Sequence, residues 1–178
     1  MKKIKFFLRR TYRLSLDYKK QEAIVWKEMK NLHLISEWRS GIFENEKYIE
    51  SFFTISDGQA ARYFYMLYDG SYHCRVKVLE SFPIEATTEI FVLASHFNNI
   101  LKNGVVTINV NDGFVEFHQK IDQLIPLLYP GELHNLLLKH YNTSKDIYTA
   151  FQRLLNEGEA PAIIIADLLN KNRDDNKE

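Results

Sequence analysis

Residues 104–119, GVVTINVNDGFVEFHQ, constrain the fold more than any other stretch. Asp112-Gly113 separates two runs in which apolar and polar residues alternate. An Asp-Gly pair in that setting is a strong hairpin signal, because a type I′ turn needs positive φ at both central residues. With a two-residue loop, Val110 faces Val115, Ile108 faces Phe117 and Val106 faces Gln119. The other face then carries Asn109 opposite Glu116 and Thr107 opposite His118. One face is apolar and the other polar, as a half-buried antiparallel pair requires. A three-residue loop would set Glu116 opposite Ile108 and His118 opposite Val106, mixing the faces, and is rejected on that ground.

The remaining elements follow from periodicity and punctuation. Residues 1–16 are basic with interleaved aromatics; as a helix they line Ile4, Phe7, Leu8 and Thr11 along one side, and a strand fits nearly as well. Residues 17–34 are rich in helix formers and Asp17 can cap them. Residues 36–45 read as a loop around Gly41. Three strands follow, at 48–56, 62–68 and 72–82. The first puts Ile49, Phe53 and Ile55 on one face and Tyr48, Glu50, Phe52 and Thr54 on the other. A second Asp-Gly, Asp69-Gly70, joins the next two. A two-residue loop there groups Tyr63 and Tyr65 with Cys74 and Val76, and sets Phe64, Met66 and Tyr68 beside His73 and Arg75. A bulged three-residue loop swaps the sets on the second strand, and either register leaves an apolar stripe on each face, so the pattern does not choose.

Residues 87–102 carry Ile90, Leu93, Ala94, Phe97 and Leu101 at helical spacing, with Thr87 or Thr88 as cap and Gly104 as the C′ stop. After the hairpin, Pro130 starts a helix with Leu133, Leu136, Leu137 and His140. Asn142–Ser144 is expected to break or bend it, with Ser144 capping a further helix closed by Gly158. Pro161 opens a last short helix through Leu169. Runs of strands interrupted by helices indicate an α+β fold. The expectation is an antiparallel sheet of about five strands, in the order β-β-β-α-β-β-α, with helices packed on it and an N-terminal helical extension.

A chain of 178 residues with 46% hydrophobic content, ten Tyr and twelve Phe can build a core and suits one domain. Net charge is zero, so nothing global points to nucleic acid. Locally, residues 1–30 hold ten Lys/Arg against three Asp/Glu, an excess of seven. The start resembles a signal peptide, but Lys5 and Arg9-Arg10 interrupt its apolar run, and no run is long enough to span a bilayer. Cys74 is the one cysteine, which excludes an internal disulfide. The expected compartment is the cytoplasm.

The stretch from Tyr48 to about Leu169 resembles the YbjN-like family of bacterial proteins, whose fold is similar to that of the type III secretion chaperones. The resemblance rests on three antiparallel strands, Pro83 leading into a helix that ends in Phe97-Asn98-Asn99-Ile100-Leu101, and the strand Gly104-Val105-Val106-Thr107-Ile108 with its Asp-Gly hairpin. It continues in the leucine-rich Glu132-Leu133-His134-Asn135-Leu136-Leu137 and the closing Pro161-Ala162-Ile163. These are turns and core positions. The resemblance implies no enzymatic activity, a regulatory or protein-binding role, and no catalytic residues. It divides the chain into a basic, partly helical extension (1–47), a YbjN-like domain (48–169) and a disordered polar tail (170–178).

Residue chemistry agrees with a non-enzyme. No His pair has the i, i+4 spacing with a Glu that helical zinc sites use, and His134 and His140 lie on different helix faces. Gly-rich phosphate loops and nucleophile elbows are missing from the sequence. Glu116 and His118 share the polar hairpin face; they form the alternative acid/base site of a small enzyme, weighed against a solvated cross-strand pair. Cys74 alternates with Val76 and Val78 and reads as a buried thiol. Asn142-Thr143-Ser144 is read as turn or cap rather than as a glycosylation acceptor. No catalytic, cofactor or metal residues are assigned.

The candidate partner or dimer surface is Phe52, Phe64, Met66 and Tyr68, since a sheet apolar on both faces must be covered on both. The partner is a protein or a second copy as a homodimer, with no small-molecule cofactor. Residues 1–30 offer an alternative as an anionic lipid or nucleic-acid binder. The reading preferred over it packs the apolar side of that helix on the sheet, because interleaved apolar residues are more often core.

Overall fold

The structure is a computed structural model that describes residues 2–174, with side chains described for 4–170. Two helices open the chain, α1 (Lys2–Ser15) and α2 (Tyr18–Ile35). Four strands follow, β1 (Ser40–Phe43), β2 (Tyr48–Ser56), β3 (Gln59–Tyr68) and β4 (Ser71–Leu79). A 3₁₀ turn at Ile84–Ala86 leads into α3 (Thr87–Ile100), then β5 (Val105–Asn109) and β6 (Phe114–Asp122). The chain closes with α4 (Leu124–Leu128), α5 (Pro130–Gln152), a π-helical turn at Arg153–Glu157 and α6 (Pro161–Asp174). The fold is α+β: six antiparallel strands form one sheet in the order β1-β2-β3-β4-β6-β5, with helices packed on it.

Several expectations change. The stretch around Gly41 is the edge strand β1, paired antiparallel to β2 with Ser40 opposite Ser51 and Phe43 opposite Tyr48. The hairpin keeps its faces but not its loop. Asn109 pairs with Phe114, Ile108 with Val115 and Val106 with Phe117, so four residues, 110–113, make the turn. Gly113 has φ +66 but Asp112 is not among the positive-φ residues, so a type I′ turn does not form. The Asn109 side chain wins instead. Its Oδ1 accepts from the Asp112 N–H at 3.0 Å and its Nδ2 donates to Asp112 Oδ2 at 2.8 Å. The slip is two residues, and an even slip leaves the paired side chains on their own faces, while Val110 moves into the turn.

At Asp69-Gly70 the strands end two residues apart, with φ +47 and +66, which is the type I′ geometry. That selects the two-residue register left open by the sequence.

The long helix α5 runs unbroken through Asn142–Ser144. Ser144 caps nothing; it is buried, its hydroxyl donating to the Tyr141 carbonyl at 2.7 Å and lying 2.6 Å from the Tyr63 hydroxyl. Neither Thr87 nor Thr88 is the cap of α3; Ala86, the last residue of the 3₁₀ turn, holds that position. Gly104 does not end α3 either: Leu101 is its C-cap. The helix α6 continues past Leu169 to Asp174, through the start of the expected tail, and 175–178 lie outside the described residues.

The chain packs as two compact units. The first comprises Met1–Phe52, Phe64–Cys74 and Lys120–Lys139. Asp17 caps α2, its carboxylate accepting from the Lys20 N–H at 3.0 Å. The buried stripe of α2 is Val25, Trp26, Met29 and His33. It lies on the sheet side of Ser51 and Tyr65, since His33 approaches Ser51 Oγ at 3.2 Å and the Tyr65 ring at 5.2 Å. Ile49, Leu67, Tyr72, Cys74 and Leu127 complete this core.

The second unit comprises Phe53–Tyr63, Arg75–Gln119 and His140–Glu178. The stripe of α3 (Ile90, Leu93, Ala94, Phe97) is buried, and Phe97 stacks on Phe151 at 6.2 Å. Phe117 stacks on His140 at 4.9 Å, and Val115, Ile147 and Ile164 are fully buried. The Asn98 amide pins α3 to β5 by both hydrogen bonds of a backbone pair, donating to Val106 O at 3.0 Å and accepting from Val106 N at 2.7 Å.

Candidate binding surfaces

In the first unit the strands β2 and β3 alternate strictly. Ile49 and Ser51 on β2, and Tyr65 and Leu67 on β3, point inward and are buried. The intervening residues therefore point to the opposite face. Phe52 is 44% exposed, Met66 36% and Tyr68 65%, while Phe64 is half-buried. So the four residues expected to share a face do share it, and its outer members are bare to solvent. An aromatic row explains the half-burial of Phe64. Phe43 stacks on Tyr48 at 4.7 Å, and Tyr48 on Phe64 at 5.9 Å with 17° between planes. The Arg39 guanidinium lies 5.9 Å from the Phe52 ring, and Tyr68 lies 6.4 Å from His73. The sequence missed Phe43, because β1 was read as a loop.

A second surface goes against the preferred reading of residues 1–30. On α1 the apolar side chains face outward: Ile4 is 65% exposed, Phe7 68%, Leu8 59%, Tyr12 64% and Leu14 51%. The expectation that this side packs on the sheet is overturned. The reason lies on the opposite side of the helix, where three arginines are held by strong partners. Arg13 is buried and donates to Leu127 O and to Glu28 Oε1, each at 2.5 Å. Arg9 reaches the same carboxylate at 3.1 Å. Arg10 donates to Leu128 O at 3.2 Å, and its guanidinium lies between the Phe6 and Tyr129 rings, 3.7 Å from each centroid. Leu127 and Leu128 close the short helix α4, whose last carbonyls have no partner within the helix and attract cations. The Gln21 side-chain amide then donates to the carbonyls of Arg13, Leu14 and Leu16 just beyond and within the end of α1.

Several other titratable groups are held by packing or pairing. Both Glu116 oxygens accept from Arg75, at 2.7 and 3.0 Å, which raises the arginine's proton affinity and ties the carboxylate down. The suggested acid/base pair with His118 is thus a guanidinium–carboxylate fork with a neighbouring histidine. Cys74 is fully buried and burial pushes its thiol well above the usual range, as expected of a packing residue. Buried His33 and Ser51 cluster with half-buried Ser40, with Nδ1 3.1 and 3.2 Å from the Ser40 and Ser51 hydroxyls, which are 2.8 Å apart. His33 is 1% exposed, so its ring is enclosed by packing. In the second unit a cleft of about 600 Å³ is lined by Pro83, Glu85, Glu89, Leu154, Leu155 and Pro161, among others, a mixture of carboxylates and apolar groups. Among the described residues no group of three His, Cys, Asp or Glu could hold a metal ion, and no helix is long and apolar enough to cross a membrane.

The aromatic sheet face and the outer side of α1 each gather several exposed apolar side chains. No protein-family model matches the chain, and no curated protein matches it.

Proposed function

We propose that this protein is a non-enzymatic, protein-binding domain whose binding surface is the sheet face of Phe52, Phe64, Met66 and Tyr68. The observation that carries the reading is the exposure of Phe52, Met66 and Tyr68 on strands whose other face is already covered by α2. Apolar groups collected on one face of a sheet lose water when a second surface covers them, and two such faces suit a homodimer. The resemblance of 48–169 to the YbjN-like family supports a chaperone-like, regulatory role rather than catalysis. The free, buried Cys74 supports a reducing compartment, which we take to be the cytoplasm.

Light scattering coupled to size exclusion tests the reading. Wild type is expected as a dimer. The double substitution Met66→Gln/Tyr68→Gln is expected to be monomeric, with stability within about 0.5 kcal/mol of wild type because both side chains are exposed. A wild type that stays monomeric over the accessible concentration range, or a double variant that still dimerises, removes the sheet face as a self-association surface.

A further inference from the structure

We propose that α1 is an interfacial attachment helix that lays its outer side into the surface of an anionic lipid bilayer. Ile4, Phe7, Leu8, Tyr12 and Leu14 fall within less than half of the helix circumference at 3.6 residues per turn, and each is at least half exposed. An amphipathic helix in a globular protein ordinarily turns such a side inward. Here Arg9, Arg10 and Arg13 hold the helix by the other side, so the apolar side is presented by design of the contacts rather than by chance exposure of single residues.

Charge complementarity selects the occupant. The segment 1–30 carries ten Lys/Arg and three Asp/Glu. Glu28 and Asp17 are already paired, with Arg13 and Lys20, and Glu22 pairs with Lys47. Lys5, Lys19 and Lys27 are exposed in the same segment. An apolar helix side within a positive field fits a surface of acyl chains below anionic headgroups. A second copy fits worse, because a two-fold contact through α1 would bring the same positive segments together. Nucleic acid fits worse as well. Its phosphates call for a basic side, whereas the side of α1 turned outward is apolar and Arg10 and Arg13 are turned inward to carbonyls and to Glu28.

Co-sedimentation of the full chain with vesicles tests the proposal, using phosphatidylcholine alone and phosphatidylcholine mixed with phosphatidylglycerol. Wild type should partition onto the mixed vesicles and weaken as salt is raised. Phe7→Gln/Leu8→Gln keeps helix-forming residues and should partition about tenfold more weakly or worse, with far-UV circular dichroism unchanged. Lys5→Gln should weaken binding to the mixed vesicles alone. The sheet-face variant Met66→Gln/Tyr68→Gln should bind vesicles like wild type, so the two proposals fail separately. Equal partitioning of wild type and Phe7→Gln/Leu8→Gln overturns the proposal. Equal binding to neutral and mixed vesicles, or none to either, overturns it too. A wild-type dimer that Phe7→Gln/Leu8→Gln breaks, without vesicle binding, would assign the face to a second copy.

Discussion

His33 sits edge-on to Trp38, 5.0 Å between ring centroids, with its Nδ1 near two serine hydroxyls and its Nε2 without a hydrogen-bond partner among the described residues. Burial pushes its pKa down from 6.5 to about 4, because a charged ring there would lose its hydration. The folded protein thus stays unprotonated at this site down to about pH 4, while the unfolded chain takes up a proton below about 6.5. Above pH 6.5 both states are neutral and the group has no effect on stability. Below it the unfolded state binds the extra proton, so stability falls with pH, by a total on the order of 3 kcal/mol by pH 4. Urea unfolding of wild type and His33→Gln between pH 7 and 4 checks this. The variant should lose less stability over that range, and parallel curves would refute the assignment.

At the scale of elements, Gly104 shows how a strand's start can depend on one missing atom. Its φ is +103, and a Cβ there would lie 2.7 Å from the Phe117 ring and 2.9 Å from the His118 carbonyl oxygen. Gly104→Ala should cost about 2 kcal/mol or more, from backbone strain and collision together, read as a lower urea midpoint. The sequence located this turn and its strands but gave Gly104 the wrong task, because Phe117 meets it only through pairing of β5 with β6. Similar limits apply elsewhere. The faces of the hairpin were legible since period-2 alternation survives an even slip, whereas its loop length was set by the Asn109 side chain. The Asp69-Gly70 turn was legible but its register was not, because Phe64, Met66, Tyr63 and Tyr65 leave both faces apolar. The four-residue β1 is too short to show alternation around Gly41. That Phe52, Phe64, Met66 and Tyr68 share one sheet face was legible from alternation alone. The apolar side of α1 was also named, but its outward facing was not legible, because the partners that orient the helix, Glu28 and the carbonyls of Leu127 and Leu128, lie 15 to 118 residues away in sequence.

For the whole molecule, both proposed surfaces belong to the first unit, and they differ in how they are held. The aromatic face is fixed by a sheet whose other side is packed, so its geometry follows the hydrophobic core. The placement of α1 depends on guanidinium groups docked to helix-end carbonyls, a carboxylate and two aromatic rings. Guanidinium chloride is a chemical copy of those docked groups, and urea is not. The two denaturants should therefore rank the parts of this protein differently. At concentrations well below the main unfolding transition, guanidinium ions compete for Glu28, for the Leu127 and Leu128 carbonyls and for the Tyr129 ring. The amides of α1 should then exchange with deuterium faster than in urea at the same overall stability and matched chloride, while those of α2 exchange alike in both. A helix moored by such groups carries its own solvent-specific release.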